Sequence, residues 1–268
     1  LHRIGFAVTV PAMKRILALL FLTVLAACSG PGSAPLETPR APRFGDSDPT
    51  DWPGRGPAAY AVHGVDASKF QGAVNWAAAH AAGVNFAFIK ATEGGDRRDE
   101  RFVEYWDGAA RAGIQRGAYH FYYFCTSPQV QAQNFINTVP RVAGSLPPVL
   151  DLEWNPFSPT CTHRPPASEV RAQVRVFMGI LERHYGQRPI IYTTPDFWDR
   201  NDIGSLNEET WLRAVARPPA EIYPGARWTF WQYSGTGRVP GFTGDVDLNA
   251  FAGSPAQWLA WLERRRLR

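Results

Sequence analysis

The chain has 268 residues, 45% hydrophobic and 19% charged, a balance that fits a globular protein and excludes a mostly disordered one. No apolar run reaches the ~18 residues of a clean membrane-spanning helix, which excludes a multi-span membrane protein. The net charge of +4 owes three positives to Arg3, Lys14 and Arg15 in an acid-free stretch 1–27, so the remainder is near neutral and offers no extended basic patch to nucleic acid.

The first sixty residues read as an address and a tether. Met13-Lys14-Arg15 precedes a short apolar run over 16–27, the pattern of an export signal, with Met13 the expected biological start. The run ends Leu25-Ala26-Ala27-Cys28, which resembles a bacterial lipobox. The resemblance implies cleavage before Cys28, acylation of its thiol and a membrane anchor. Simple secretion after Ala27 is the alternative, but Leu25 fits the small-residue cleavage pattern poorly. Ser29 stands where an Asp would favour the inner of two membranes, so an outer-membrane lipoprotein facing the periplasm is expected. Residues 29–60 hold seven Pro and five Gly and no apolar periodicity. They are expected to be a semi-extended linker, on the order of 30 Å long as a coil. The domain plan is therefore a signal segment 1–27, a lipidated Cys28 with linker to 60, and a folded domain over 61–268.

From residue 61 onward short apolar runs alternate with helical stretches. A strand is predicted at 61–66, a helix at 73–82, a strand at 86–92 and a helix at 100–112. A strand at 117–121, a helix at 128–138, a strand at 148–153 and a long helix at 167–185 follow. Strands at 189–193, 212–216, 228–233 and 246–251 come next, and a helix at 255–265 ends the pattern. Repeated strand–helix units imply a parallel sheet. The predicted class is α/β: an irregular (β/α) barrel with eight strands and fewer than eight helices, because the folded span is too short for eight full units. An open doubly wound sheet is the alternative. No GxGxxG or Walker pattern points to a nucleotide. Cys125 and Cys161 follow the third and fourth strands, and an exported compartment permits a disulfide between them. Two unpaired thiols are the alternative, and neither Cys sits in a CxxC pair with a nearby His as a metal site would need.

Polar residues gather at strand ends: Asp66, Lys90 and Glu93, Tyr119 and His120, Asp151 and Glu153, Tyr192, Gln232, Asp247. In a barrel these ends converge on one face, where active sites form. The sharpest signal is Asp151-Leu152-Glu153 closing an apolar strand. Strand side chains alternate, so both carboxylates share a face with Cα atoms about 6.6 Å apart. Adjacent carboxylates oppose each other's ionisation, and one keeps a proton. Glycosidic cleavage needs that combination of one acid and one anion. A divalent-metal site is the rival chemistry. Trp154 and Tyr122 are candidates to stack on sugar rings, whereas Trp76, Trp106, Trp258 and Trp261 read as core. His120 is a candidate base or a histidine that positions a carboxylate.

Seven segments in order resemble glycoside hydrolase family 25, the N-acetylmuramidase lysozymes: Gly64-Val-Asp66-Ala-Ser68-Lys-Phe-Gln71-Gly72, Phe88-Ile-Lys90-Ala-Thr92-Glu93-Gly94, Gly117-Ala-Tyr119-His120-Phe121, Val149-Leu-Asp151-Leu-Glu153, Ile191-Tyr192-Thr193, Phe230-Trp231-Gln232-Tyr233-Ser234 and Gly244-Asp245-Val-Asp247-Leu-Asn249. The resemblance implies hydrolysis of the β-1,4 bond after N-acetylmuramic acid in peptidoglycan. It implies Glu153 as general acid, Asp151 as its partner, and Asp66 and Asp247 as further pocket acids. Tyr119, His120, Tyr122, Trp154, Tyr192, Gln232, Lys90 and Glu93 are the expected substrate-binding residues. Lys69-Phe70 departs from the polar–Trp or His pair of many members. No cofactor, metal or nucleic acid is expected, and the chain is expected to act as a monomer on peptidoglycan. A catalytically weak wall-binding barrel and a chitinase-like hydrolase are the alternatives.

Overall fold

The computed structural model describes residues 36–268, together with Leu1, His2 and Gly5. Cys28, the first part of the expected linker and nearly all of the expected signal segment lie outside the described residues. Among the described residues ten strands occur in order: β1 (Gly45–Asp46), β2 (His63–Ala67), β3 (Val84–Glu93), β4 (Arg97–Arg98), β5 (Gln115–Phe121), β6 (Val149–Leu152), β7 (Ile190–Thr193), β8 (Thr210–Arg213), β9 (Phe230–Arg238) and β10 (Val246–Phe251). Eight of them close a barrel in the order β2, β3, β5, β6, β7, β8, β9, β10, with β10 pairing back to β2. The pairings from β2 round to β9 are parallel, and β10 runs antiparallel to both its neighbours. All eight predicted strands are present. Two short additional ones, β1 and β4, cap the edges of β9 and β3.

Seven helices accompany the barrel among the described residues: α1 (Trp76–Ala81), α2 (Phe102–Arg111), α3 (Pro128–Thr138), α4 (Ala167–Tyr185), α5 (Pro195–Asn201), α6 (Pro219–Ile222) and α7 (Pro255–Arg265). Local chemistry sets their limits. Ser127 accepts the Val130 N–H ahead of Pro128 at the start of α3. Ser254 and Gln257 form a reciprocal capping box on α7, whose last turn carries Arg264 and Arg265. Gly186 ends α4 at φ 72°, a conformation that costs a side chain-bearing residue more. The β9–β10 connection has no helix, and α6 is a single turn, so the barrel is irregular.

Strand alternation divides the core in two. Val65, Ala87, Ile89, Leu150, Leu152, Ile191 and Leu212 point outward and pack under the helices with Val174, Phe177 and Leu181 of α4. Phe86, Phe88, Val149, Ile190, Trp211, Phe230 and Phe251 point inward. Trp258 and Trp261 of α7 join this inner set and close the end where the parallel strands begin. Trp76, Trp106, Trp258 and Trp261 are all buried, as expected of core residues.

The described part of the expected linker is not a free coil. Residues 36–60 form a strap against the barrel. Asn85, at the start of β3, accepts from the Arg40 N–H at 2.7 Å and donates to the Arg40 carbonyl at 2.9 Å. β1 pairs with the end of β9, Thr50 donates to the Val215 carbonyl, and Trp52 packs edge-on against Trp231. Leu36, Phe44, Trp52 and Tyr60 supply the apolar contacts. The Pro and Gly content that argued for a coil removes helical periodicity without removing these anchors.

Cys125 and Cys161 form a disulfide, with Cα atoms 5.7 Å apart and a sequence separation of 36. It ties the loops after β5 and β6 together. Replacing both by Ser removes a constraint on the unfolded chain worth about 3–4 kcal/mol in the loop-entropy account. The expected result is a Tm lower by roughly 10 °C in a non-reducing melt. An unchanged Tm would show that the bridge contributes nothing to stability.

Candidate active site

The barrel's inner residues change from apolar to polar along each strand. Val149 is followed two positions later by Asp151 and then by Glu153, Ile190 by Tyr192, Trp211 by Arg213, and Phe230 by Gln232. On antiparallel β10 the order reverses, so Asp247 and Asn249 precede Phe251. The carboxylates therefore meet at the end of the barrel where the parallel strands finish, opposite α7. Asp66 and Asp247 are direct cross-strand partners, and Asp151 sits beside Tyr192.

Asp66 is held as an acceptor. Its Oδ2 receives the Gln232 Nε2–H at 2.9 Å and the Asn249 Nδ2–H at 2.8 Å. Tyr192 donates to Gln232 Oε1 at 2.8 Å, and Trp211 Nε1–H donates to Asn249 Oδ1 at 2.8 Å, which fixes both amides. Asp247 shares a hydrogen bond with Asp66. Burial and then the Asp66 charge push Asp247 well above the usual carboxylate range, so Asp247 holds the proton of this pair.

Asp151 and Glu153 form the second pair. Burial, then the Glu153 charge, raises Asp151, while Lys90 opposes the rise. Burial also raises Glu153, and Arg213 opposes it most. The two titrate as one unit that keeps a proton near neutrality. Asp151 Oδ1 is buried and has no hydrogen-bond partner. An unpartnered oxygen facing the barrel interior is a position for a substrate group. Among the described residues no three His, Cys, Asp or Glu side chains are placed to hold a metal ion.

Lys90 and Glu93 make an ion pair at 2.7 Å, and Lys90 Nζ lies 5.0 Å from the Phe121 ring centre. Against the cost of burial, Lys90 holds the Glu93 carboxyl below its ordinary value. Tyr119 faces the acids, and burial together with their charges raises its phenol. Trp154 packs on Phe124 and Phe197, with Arg164 5.1 Å over its ring. With Glu153 it lines a cavity of about 270 Å³.

Two expected binding residues turn their polar atoms toward the helices. His120 is fully buried behind the barrel wall, bonded to Thr92 Oγ1 and Gln131 Oε1 and stacked on Phe177. Burial lowers it to about 4, so it is a neutral core group and touches no carboxylate. Tyr122 is 1% exposed and donates to Gln173 of α4, although it borders the cavity that Glu153 and Trp154 line. Alternation explains both: Tyr119 faces inward, so His120 must face the helices. Sequence reasoning missed Arg213 and Asn249, and also Tyr123 and Asn155, which hydrogen-bond at 2.9 Å beside Glu93.

The raised acids predict a stability cost. Folded carboxyls with raised values bind more protons than unfolded ones, so stability falls as pH rises from the unfolded to the folded value. Asp247→Asn keeps a donor toward Asp66 and removes that penalty. It is expected to raise Tm at pH 7 by about 2–4 °C. The gain should vanish below roughly pH 4, where the wild-type acids are protonated in both states. Equal melts at pH 7 would mean that Asp247 ionises at no cost.

The sequence model of "Glycosyl hydrolases family 25" matches residues 65–242, a span that takes in Asp66, Asp151 and Glu153. Lysozyme M1 of Streptomyces globisporus is 38% identical over 209 residues, covering 74% of this chain and 70% of that protein. A family 25 glycosyl hydrolase from Bacillus anthracis superposes with a TM-score of 0.69 at 33% identity, over 76% of this chain and 94% of that one. The bacterial lysozyme of Streptomyces coelicolor does so with a TM-score of 0.67 at 36% identity, over 76% and 97%. With its irregular barrel and its acids at the open end, the chain belongs to glycosyl hydrolase family 25.

Proposed function

We propose that the chain hydrolyses the β-1,4 bond between N-acetylmuramic acid and N-acetylglucosamine in peptidoglycan. Glu153 donates the proton to the leaving oxygen, and Asp151 supplies the negative charge toward the positive charge that develops on the sugar. The observation that carries this reading is the position of the pair. Asp151 is buried with one oxygen free, and Glu153 stands one step outward, lining a cavity with Trp154. Lys90 opposes the rise of both carboxyls and Arg213 that of Glu153, so both cations favour a negative charge on the pair. Asp66 and Asp247, with Gln232, Asn249 and Tyr192, hold the rest of the pocket rigid. Digestion of purified peptidoglycan followed by mass spectrometry tests the bond. Muramic acid reducing ends support it, and glucosamine reducing ends reject it.

The export reading is part of the proposal. Acylation of Cys28 anchors the enzyme at a membrane beside its polymer. Cys28→Ser is expected to move the protein from the membrane to the soluble fraction. A wild-type protein that is wholly soluble, with an unmodified N-terminus, leaves simple secretion as the account.

A further inference from the structure

Two aromatic rings stand open to solvent. Phe70 is 81% exposed and Phe157 91%. Both line one cleft of about 620 Å³ that adjoins the catalytic end of the barrel through Lys90, Glu93, Tyr123 and Asn155. The Tyr123–Asn155 hydrogen bond is a ridge: both residues line this cleft and also the smaller cavity that holds Glu153 and Trp154. The approach to the carboxylates therefore forks.

The larger branch is basic at its rim. Lys69, Arg97 and Arg98 line it. Lys69 is held by Glu100 at 2.9 Å, and the Arg97 side chain, 64% exposed, reaches Glu93 only at 3.5 Å. Arg98 is exposed and belongs to no ion pair among the described residues. The acids that face it are engaged within the protein, apart from Asp96. Glu93 bonds Lys90, and Asp99 accepts the backbone N–H groups of Lys69 and Arg101. Lys69-Phe70 is also where the sequence departs from the pattern it otherwise resembles.

We propose that this cleft binds the acid-bearing peptide branch that muramic acid residues carry, and so makes the enzyme prefer peptide-substituted glycan. The inference rests on peptidoglycan being the substrate. Without its peptide, muramic acid offers only the lactyl carboxylate held close to its ring, and glucosamine units offer none. A short peptide offers carboxylates to Arg97 and Arg98 and alkyl side chains to Phe70 and Phe157.

Calorimetric titration tests this without requiring turnover. The ligands are a soluble glucosaminyl–muramyl disaccharide with its peptide and the same disaccharide freed of it. Wild type is expected to favour the peptide-bearing ligand by about tenfold or more. Arg97→Ala/Arg98→Ala and, separately, Phe157→Ala should shrink that ratio toward unity. All three side chains are on the surface, and circular dichroism checks that the variants are folded. Equal wild-type affinity for the two ligands, or a ratio that both variants leave intact, overturns the proposal. Reducing-end analysis reports independently on the bond cleaved. A wild type that prefers the peptide-bearing ligand but yields glucosamine ends would reject the bond assignment and leave the cleft's role standing.

Discussion

Glu153→Gln is expected to fold like the wild type and to lose about 10²–10⁴-fold in turnover. Gln keeps the size of the side chain and cannot deliver a proton to a leaving alkoxide. Burial already disfavours the Glu153 charge, so a neutral isostere adds no strain and removes a desolvation penalty. The Tm should therefore stay level or rise while peptidoglycan clearing stops. Turbidity loss of purified walls, read beside a thermal melt, separates the two effects. Near-normal turnover by a folded Glu153→Gln protein would remove Glu153 from the mechanism.

Asp151→Asn should cost about 10²–10³-fold, the usual loss when one group aimed at developing charge is removed. The residue is 6% exposed, and no protein donor meets its Oδ1. An amide there presents no charge to the oxocarbenium-like centre. The pH profile distinguishes this loss from that of Glu153→Gln. On the proposed roles, activity needs the pair to hold one proton, which gives a bell. The acidic limb reports protonation of the anion, so it should flatten in Asp151→Asn. The basic limb reports loss of the proton from the acid, so it should flatten in Glu153→Gln. A full bell in Asp151→Asn would place the essential anion elsewhere in the pocket.

The barrel was legible because its strands are continuous apolar runs ending in polar residues, which is what burial on both faces demands. The carboxylates were legible for the same reason, since Asp66, Asp151, Glu153 and Asp247 each interrupt or close such a run. What failed was parity. Tyr119 and His120 cannot both face inward, and a strict count by twos would have sent His120 to the helices. Arg213 was hidden by a boundary error: the predicted strand 212–216 lies two to three residues beyond β8, and only the true register pairs Trp211 with Arg213 on the inner face. Asn249 stands inside the predicted strand 246–251 and on the face of Asp247, but an uncharged amide in a strand announces no chemistry of its own. Tyr123 and Asn155 lie on loops brought together by β5 and β6, and no periodicity reports a contact of that kind.

The strap gives the molecule a direction under load. It meets the barrel at Leu36 and Asn85, beside α7, while the acids lie at the other end. Any pull applied upstream of Leu36 is thus delivered to the closed end, and the cleft trails outward, away from the point of attachment. Residues 36–60 are packed down along their length and lend no slack to such a pull.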